Sequence, residues 1–199
     1  MDVISFLKNN IEPVEDSNFG LGYNAAVTLK DGTFLPCVIF RNPSITINLA
    51  IKRFKEEQSG KSIFNKSSGL GYREIVKTFV TSGNRVNHYN IIKVEKSRHA
   101  FPIHIRNQIK GETSMSWTAF VARFKDGRAL GFGTTWDIEF FDLPTGYQAE
   151  DIVEIINHSY LLKSGEIVSH RSFDRITRKD EMAEINGNKP FFECFIDNL

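Results

Sequence analysis

Hydrophobic and polar positions alternate along much of the chain with the period of two that is typical of β-strands. Two such runs, Tyr23–Leu29 and Thr33–Phe40, flank a Lys-Asp-Gly turn, where glycine accepts the positive φ that tight turns need. The pattern therefore predicts a β-hairpin. Pro36 has no backbone N–H to donate to a strand ladder, so we expect its strand to be an edge strand or to carry a bulge.

The period changes to that of a helix after the second strand. Ile47, Ala50, Ile51 and Phe54 recur at helical spacing, and lysines and glutamates fill the other face. This segment predicts an amphipathic helix over Ile47–Gln58, the best-defined helix in the chain.

The remaining segments predict a series of similar elements. These are a helix at 2–10, a hairpin at 73–97, a short helix at 101–111, a hairpin at 116–141, a helix at 149–160, a hairpin at 160–170, a helix at 177–187 and a strand at 190–196. The first arm of the hairpin at 73–97 would also suit a helix, and its threonines and its Ser-Gly-Asn turn favour a strand.

This order predicts an α+β fold, in which a mainly antiparallel sheet is built from hairpins with helices between them. We interpret residues 1–199 as a single α+β domain. The recurrence of hairpins around two Lys-Asp-Gly turns raises the hypothesis of a pseudo-duplicated ββαββ arrangement, with a half boundary near 97–112. Beyond the turns only Leu35 and Leu130 match nearby, so a single fused domain is the safer interpretation.

Composition and charge narrow the class of protein. The chain has 199 residues, of which 41% are hydrophobic and 25% charged, and these are globular values. A formal net charge of +1 gives no general attraction to nucleic acid. The sequence shows neither a signal peptide nor an apolar run of membrane-spanning length. Cys37 and Cys194 suit buried thiols of a reducing compartment, so we expect a cytoplasmic protein without membrane association.

Motifs that would hold a cofactor or a metal are missing from the sequence. Gly60-Lys61-Ser62 lacks the earlier glycine and the preceding strand of a phosphate-binding loop. The spacing of the five histidines does not favour a metal site. We therefore expect no cofactor and no metal.

Asp137 and Glu139 are weak candidates for catalysis. They alternate with Trp136, Ile138 and Phe140 in the second arm of the hairpin at 116–141, which would place both carboxylates on one strand face. Such a pair can serve as a general acid or hold a divalent cation. The favoured interpretation is a solvated outer face of the sheet.

Trp117 and Trp136 are the candidates for binding. A tight turn at Lys125–Gly127 places Trp117 opposite Thr135 and Trp136, so the two indoles would meet across neighbouring strands. We favour a buried aromatic pair in the core. The alternative is a flat aromatic platform for a peptide or a small ligand.

These observations leave the function unknown and favour a non-enzymatic intracellular binding or interaction protein, with a protein partner or a homo-oligomer. The alternative is a small hydrolase or lyase that uses Asp137, Glu139 and a histidine in a cleft. A large exposed apolar patch would favour binding, and three polar side chains converging in a deep pocket would favour catalysis. A nucleic-acid-binding module ranks third because the charge is nearly neutral.

Overall fold

A computed structural model describes residues 2–16, 19–59, 71–77, 83–135, 137–174 and 177–199. These ranges contain four α-helices and eleven strands in mostly antiparallel sheets, so the predicted α+β fold is confirmed. The chain divides into two compact units, Met1–Lys96 with Phe191–Leu199, and Ser97–Pro190. The interpretation of the whole chain as one domain stays a prediction. No helix within the described ranges is long and apolar enough to cross a membrane.

The first unit is built around one five-stranded sheet. Its elements are α1 (Val3–Asn10), β1 (Val14–Asp16), β2 (Gly20–Leu29), β3 (Phe34–Arg41), α2 (Pro43–Gln58), α3 (Tyr72–Ile75), β4 (Ile91–Lys96) and β11 (Phe192–Phe195). Strand β2 pairs antiparallel with β1, β3 and β4, and β3 also pairs in parallel with β11. The predicted first hairpin and closing strand are therefore confirmed.

Pro36 lies at a bulge in β3. Ala25 pairs with Val38 and Val27 pairs with Leu35, so two residues of β3 oppose one residue of β2 between these pairs. The predicted bulge is confirmed, and it accommodates the missing N–H of proline. The alternative of an edge strand is wrong, because β11 pairs with the end of β3 beyond the bulge.

Side chains at the helix starts stabilise the two longer helices. The Asp2 carboxylate accepts hydrogen bonds from the backbone N–H groups of Ile4 and Ser5 at the start of α1, the helix predicted at 2–10. Asn42 caps α2 in the same way, and Pro43 occupies its first turn, where no N–H is needed. Helix α2 thus starts before the predicted Ile47 and ends at the predicted Gln58.

The hairpin predicted at 73–97 is wrong in its first arm. Tyr72–Ile75 form a short helix in which Ile75 is buried, so the helical periodicity of this segment prevails over its β-prone composition. The second arm is strand β4, but its partner is β2. Much of the predicted turn and first arm, residues 78–82, lies outside the described residues.

The second unit contains a four-stranded sheet and a separate two-stranded one. Its elements are α4 (Ile103–Arg106), β5 (Thr118–Phe124), β6 (Ala129–Thr134), β7 (Ile152–Asn157), β8 (Ser159–Leu161), β9 (Ile167–Ser169) and β10 (Ile185–Asn186). The larger sheet has the order β10-β6-β5-β7, and β8 pairs with β9. Helix α4 and the hairpins β5–β6 and β8–β9 confirm three of the predicted elements.

Phenylalanine rings fill one core of the second unit. Phe120 and Phe132 face each other across β5 and β6 and stack with ring centres 5.3 Å apart. Phe101 and Phe141 close the cluster, with their ring centres 4.7 Å apart. Such clusters stabilise a fold through the large apolar area that each ring removes from water.

Two helices predicted in the second unit are wrong. Residues 149–160 form a 3₁₀ turn at Ala149–Asp151 followed by strands, because the β-branched run of β7 pairs with β5. Within 177–187 only Lys179–Glu181 are helical, as a 3₁₀ turn. The backbone N–H of Ala183 donates to the carbonyl of Leu161, which draws this segment into a ladder rather than a helix.

The two units share the order of their larger sheets. In each, a return strand, the two arms of a Lys-Asp-Gly hairpin and a final parallel strand lie side by side, as β4-β2-β3-β11 and as β7-β5-β6-β10. In both units the first residue of the turn donates its backbone N–H to the carbonyl of the residue just before the return strand. Lys30 donates to Asn90 at 2.8 Å, and Lys125 donates to Asp151 at 2.9 Å. This likeness does not show the pseudo-duplicated ββαββ arrangement, which stays a prediction.

Both cysteines are buried, with exposed fractions of 1% for Cys37 and 0% for Cys194. Burial raises the pKa of the Cys194 thiol to about 12, and the thiolate is the reactive form. We therefore expect N-ethylmaleimide to label both thiols at least about a hundredfold more slowly in the native protein than in guanidinium. Mass spectrometry of timed samples measures this ratio, and equal rates for either cysteine would contradict the buried assignment.

Candidate functional site

Trp117 packs into a core of the second unit. It lies against a buried cluster that contains Ala119, Tyr160 and Phe173. A Cβ atom added at Gly133 would overlap the Trp117 ring, so the indole occupies the space that this glycine leaves open. Trp117 is partly buried in this position, and the choice between a core residue and a binding platform stays a prediction.

The predicted hairpin register is confirmed as far as the described residues reach. Thr118 lies opposite Thr134 and Phe120 opposite Phe132, which is the register expected from a tight turn at Lys125–Gly127. Trp136 lies outside the described residues. The meeting of the two indoles therefore stays a prediction.

Asp137 and Glu139 do not continue the strand as predicted. Strand β6 ends at Thr134, and the Thr134 hydroxyl donates to the carbonyl of Asp137 at 2.8 Å. Residues 137 and 138 belong to no strand. The expected alternation of both acids on one strand face is therefore wrong.

Glu139 forms a paired ion contact with Arg106 at the end of α4. Two guanidinium nitrogens of Arg106 donate to the two carboxylate oxygens, at 2.8 and 3.2 Å. The side chains are only 10% and 16% exposed, so little water competes for this contact. Paired hydrogen bonds of this kind between a guanidinium and a carboxylate fix the orientation of both side chains.

Asp137 has a different environment from its neighbour. Loss of hydration, reinforced by the negative charge of Glu139, raises the pKa of Asp137. The residue as a whole is exposed, so water screens part of this effect. Among the described residues no group of three or more histidine, cysteine, aspartate and glutamate side chains is placed to hold a metal ion.

The histidines are engaged in contacts within the fold. Nδ1 of His99 lies 2.9 Å from Phe141 O, Nδ1 of His158 lies 3.1 Å from Thr113 Oγ1, and Nδ1 of His170 lies 3.2 Å from Tyr160 Oη. Burial also lowers the pKa of His99, which favours its neutral form. These contacts suit histidines that stabilise local structure.

An exposed apolar surface on α2 is the feature that sequence reasoning missed. Ile47, Ile51 and Phe54 are 48%, 46% and 45% exposed, whereas Thr46 and Ala50 on the same helix are buried. The amphipathic pattern predicted the helix correctly. It did not indicate that the larger apolar residues face water while two small residues face the protein.

The exposed apolar residues form one continuous surface. At 3.6 residues per turn, Ile47, Ile51 and Phe54 fall within about 60° of one another around the helix. Tyr72 of α3 extends this surface, because its ring centre lies 5.1 Å from that of Phe54. The Glu57 carboxylate accepts the Tyr72 N–H at 2.6 Å and joins the two helices. We call these four apolar side chains the α2 stripe.

A buried ion cluster in the first unit was also missed. The Arg41 guanidinium is almost fully buried, 3.7 Å from Glu193 and 4.0 Å from Asp16. Burial raises the pKa of Glu193, and the nearby positive charge of Arg41 opposes this change. Because the three residues belong to β3, β11 and β1, we interpret the cluster as a structural connection within the sheet.

Comparisons of the chain with models of known protein families, with curated proteins and with solved structures found no match. The function of this molecule is therefore inferred from its own geometry. Its clearest feature is the α2 stripe.

The fit of Trp117 over Gly133 gives a prediction for stability. Trp117→Ala should cost about 3 to 5 kcal/mol, because it removes a large core side chain. Gly133→Ala should cost about 1 to 3 kcal/mol through overlap with the indole, and this cost should shrink in the Trp117→Ala background.

Gly131→Ala is the matched control, because an added Cβ there meets its nearest atom, Glu184 O, at an ordinary 3.5 Å. It should cost clearly less than Gly133→Ala. Urea unfolding of the five proteins measures these differences, and additive costs of the two substitutions would show that the indole does not occupy this space.

The unequal environments of Asp137 and Glu139 give a second prediction. Glu139→Gln should destabilise the protein by about 2 to 3 kcal/mol, because it leaves the Arg106 charge buried without its carboxylate. Asp137→Asn should leave stability at pH 7 equal or slightly higher, because a raised folded-state pKa means that ionisation opposes folding.

The gain from Asp137→Asn should shrink as the pH falls through the raised folded-state pKa and disappear below the ordinary aspartate pKa, where the group is protonated in both states. Urea unfolding at several pH values tests both substitutions. Equal losses for the two at pH 7 would contradict the assignment.

Proposed function

We propose that this chain is a non-enzymatic protein-interaction module that binds another protein surface through the α2 stripe. The observation that supports this proposal is the exposure of Ile47, Ile51 and Phe54 on a helix that buries only small residues. Single exposed apolar side chains are common on protein surfaces, but a continuous patch of large ones is typical of interaction sites.

The partner that we propose is a second copy of the chain. The first half of α2, residues 44–51, carries no charged side chain, whereas Lys52, Arg53, Lys55, Glu56 and Glu57 lie in the second half. An antiparallel pair of α2 helices places each charged half beside an uncharged half. A parallel pair would bring equivalent lysines together, which is unfavourable.

Antiparallel pairing also suits the shape of the stripe. Ile51 lies near its middle, so a two-fold axis there would place Ile47 of one copy against Phe54 of the other. Apolar side chains at this spacing can interdigitate between two packed helices. The contact would remove from water the apolar area that each copy now exposes.

The contacts of the acidic pair favour binding over the alternative of a hydrolase or lyase. Glu139 is held by Arg106, and His158 and His170 contact hydroxyl groups. The two buried thiols support a reducing compartment, and we retain the cytoplasm as the proposed location. The near-neutral net charge supports a protein partner over nucleic acid.

Sedimentation equilibrium tests the proposed association. The parent should show a concentration-dependent dimer, and Ile51→Asp should weaken the dimer by roughly thirtyfold or more, because it buries a charge at the centre of the contact. Ile92→Asp is the matched control: Ile92 is also apolar and 58% exposed, but it lies on β4, away from the stripe. It should leave the dimer unchanged.

Circular dichroism should show that both variants remain folded. A parent that stays monomeric up to the highest soluble concentration would refute the proposed second copy. A dimer that Ile51→Asp does not weaken would show that a different surface is used.

A further inference from the structure

A groove of about 460 Å³ opens on the surface of the first unit. The start of α1, the 3₁₀ turn at His88–Asn90 and the end of the chain after β11 form its walls. Val3, Ile4 and Ile196 provide apolar lining, and all three belong to the hydrophobic cluster of this unit. The volume lies in the range of small-ligand sites in proteins.

Tyr89 presents an aromatic ring at this groove. It is 70% exposed, and its ring centre lies 3.9 Å from that of His88. The Tyr89 N–H donates to the side chain of Asn87 at 3.0 Å, and the Asn90 N–H donates to the Asn87 carbonyl at 3.0 Å. A capped turn thus fixes the backbone of this residue, so its exposure is built into the local fold.

Two acidic residues and the imidazole of His88 line the groove. Asp2 and Asp197 both contribute to the wall. Hydrogen bonds from Ser5, first of all from its hydroxyl, lower the pKa of Asp2. Lys8 is a neighbouring cation, and its ammonium donates to the carbonyl of Asn198 at 3.2 Å rather than lining the groove.

We propose that this groove binds an organic cation with an apolar stem, the chemistry of a lysine or arginine side chain or of a free alkyl amine or guanidine. The face of Tyr89 can attract the cation, and Asp197 supplies an opposite charge. The apolar stem of the ligand can pack against the side chains of Val3, Ile4 and Ile196. An anion of the same size would meet two carboxylates, which is unfavourable.

This site is independent of the α2 stripe. Helix α2 does not contribute to the lining of the groove. A failure of the proposed self-association would therefore not affect the proposal of a cation site. A failure of cation binding would likewise not affect the proposed self-association.

Nuclear magnetic resonance titration with n-butylguanidinium tests the proposal. Resonances of Tyr89 and Ile196 should shift in a saturable way, and butyrate, an anion with a stem of similar length, should produce no saturable shift. Tyr89→Ala and Asp197→Asn should each weaken binding of n-butylguanidinium by about fivefold or more. Phe34→Ala is the matched control, because Phe34 is another exposed aromatic residue of this unit, outside both the groove and the α2 stripe.

A blocked glycine–serine peptide with one central arginine distinguishes the two sources of this chemistry. Tighter binding of the peptide than of n-butylguanidinium would identify a protein segment as the ligand, and equal or weaker binding would identify a free small cation. Either result supports the proposal if Tyr89→Ala and Asp197→Asn weaken the binding of the cation. Equal shifts with butyrate, no saturable binding of n-butylguanidinium, or affinities that Tyr89→Ala leaves unchanged would overturn it.

Discussion

Burial of the first hairpin strand on both of its faces is the constraint on which each unit depends. Residues Tyr23–Val27 of β2 and Ala119–Ala122 of β5 are all buried, so each strand must pack against neighbours above and below. The sequence of a strand in this position is a nearly continuous run of apolar residues, without the usual alternation of apolar and polar residues. The many alanines among these residues leave room for larger neighbours, as Gly133 does for Trp117.

The same constraint relates the fold to the proposed function. The core beside β2 is filled by large residues such as Leu7 of α1, Phe40 and Val94. Helix α2 contributes only the small side chains Thr46 and Ala50 to the interior. Ile47, Ile51 and Phe54 consequently remain at the surface, where they cost hydration free energy unless another surface covers them. The proposed role in binding follows from this distribution of large and small residues along one helix.

Local signals account for the parts of the fold that the sequence predicted. Each Lys-Asp-Gly turn contains its own glycine at positive φ, Gly32 at 88° and Gly127 at 84°, and each specifies a hairpin from neighbouring residues alone. The helix prediction for residues 149–160 failed because the isoleucines of this segment suit either a helix or a strand. Only the pairing with β5 decides between the two structures. The amphipathic pattern of α2 likewise cannot tell which side the rest of the chain will cover.

The candidate site shows the same limit. Trp117 directly precedes β5, and the hairpin register, which is a local property, brings it beside the end of β6. The ion contact of Arg106 with Glu139 joins residues 33 positions apart, so no local sequence pattern predicts it. Arg41 gave only the weak signal of a charge at the end of an apolar run. Contacts of this kind depend on the tertiary fold, so sequence periodicity alone could not predict them.

Distances between spin labels on paired α2 helices test the central claim most directly. The native thiols are buried, so cysteines placed at Lys52 or Ser59 can be labelled selectively. Antiparallel pairing centred on Ile51 predicts that the backbones at Lys52 lie roughly 10 Å apart, whereas those at Ser59 lie roughly 25 Å apart, with the label arms adding to both. Similar short distances at both positions would indicate parallel pairing, and the absence of any distance between copies would contradict the claim that α2 binds a second copy.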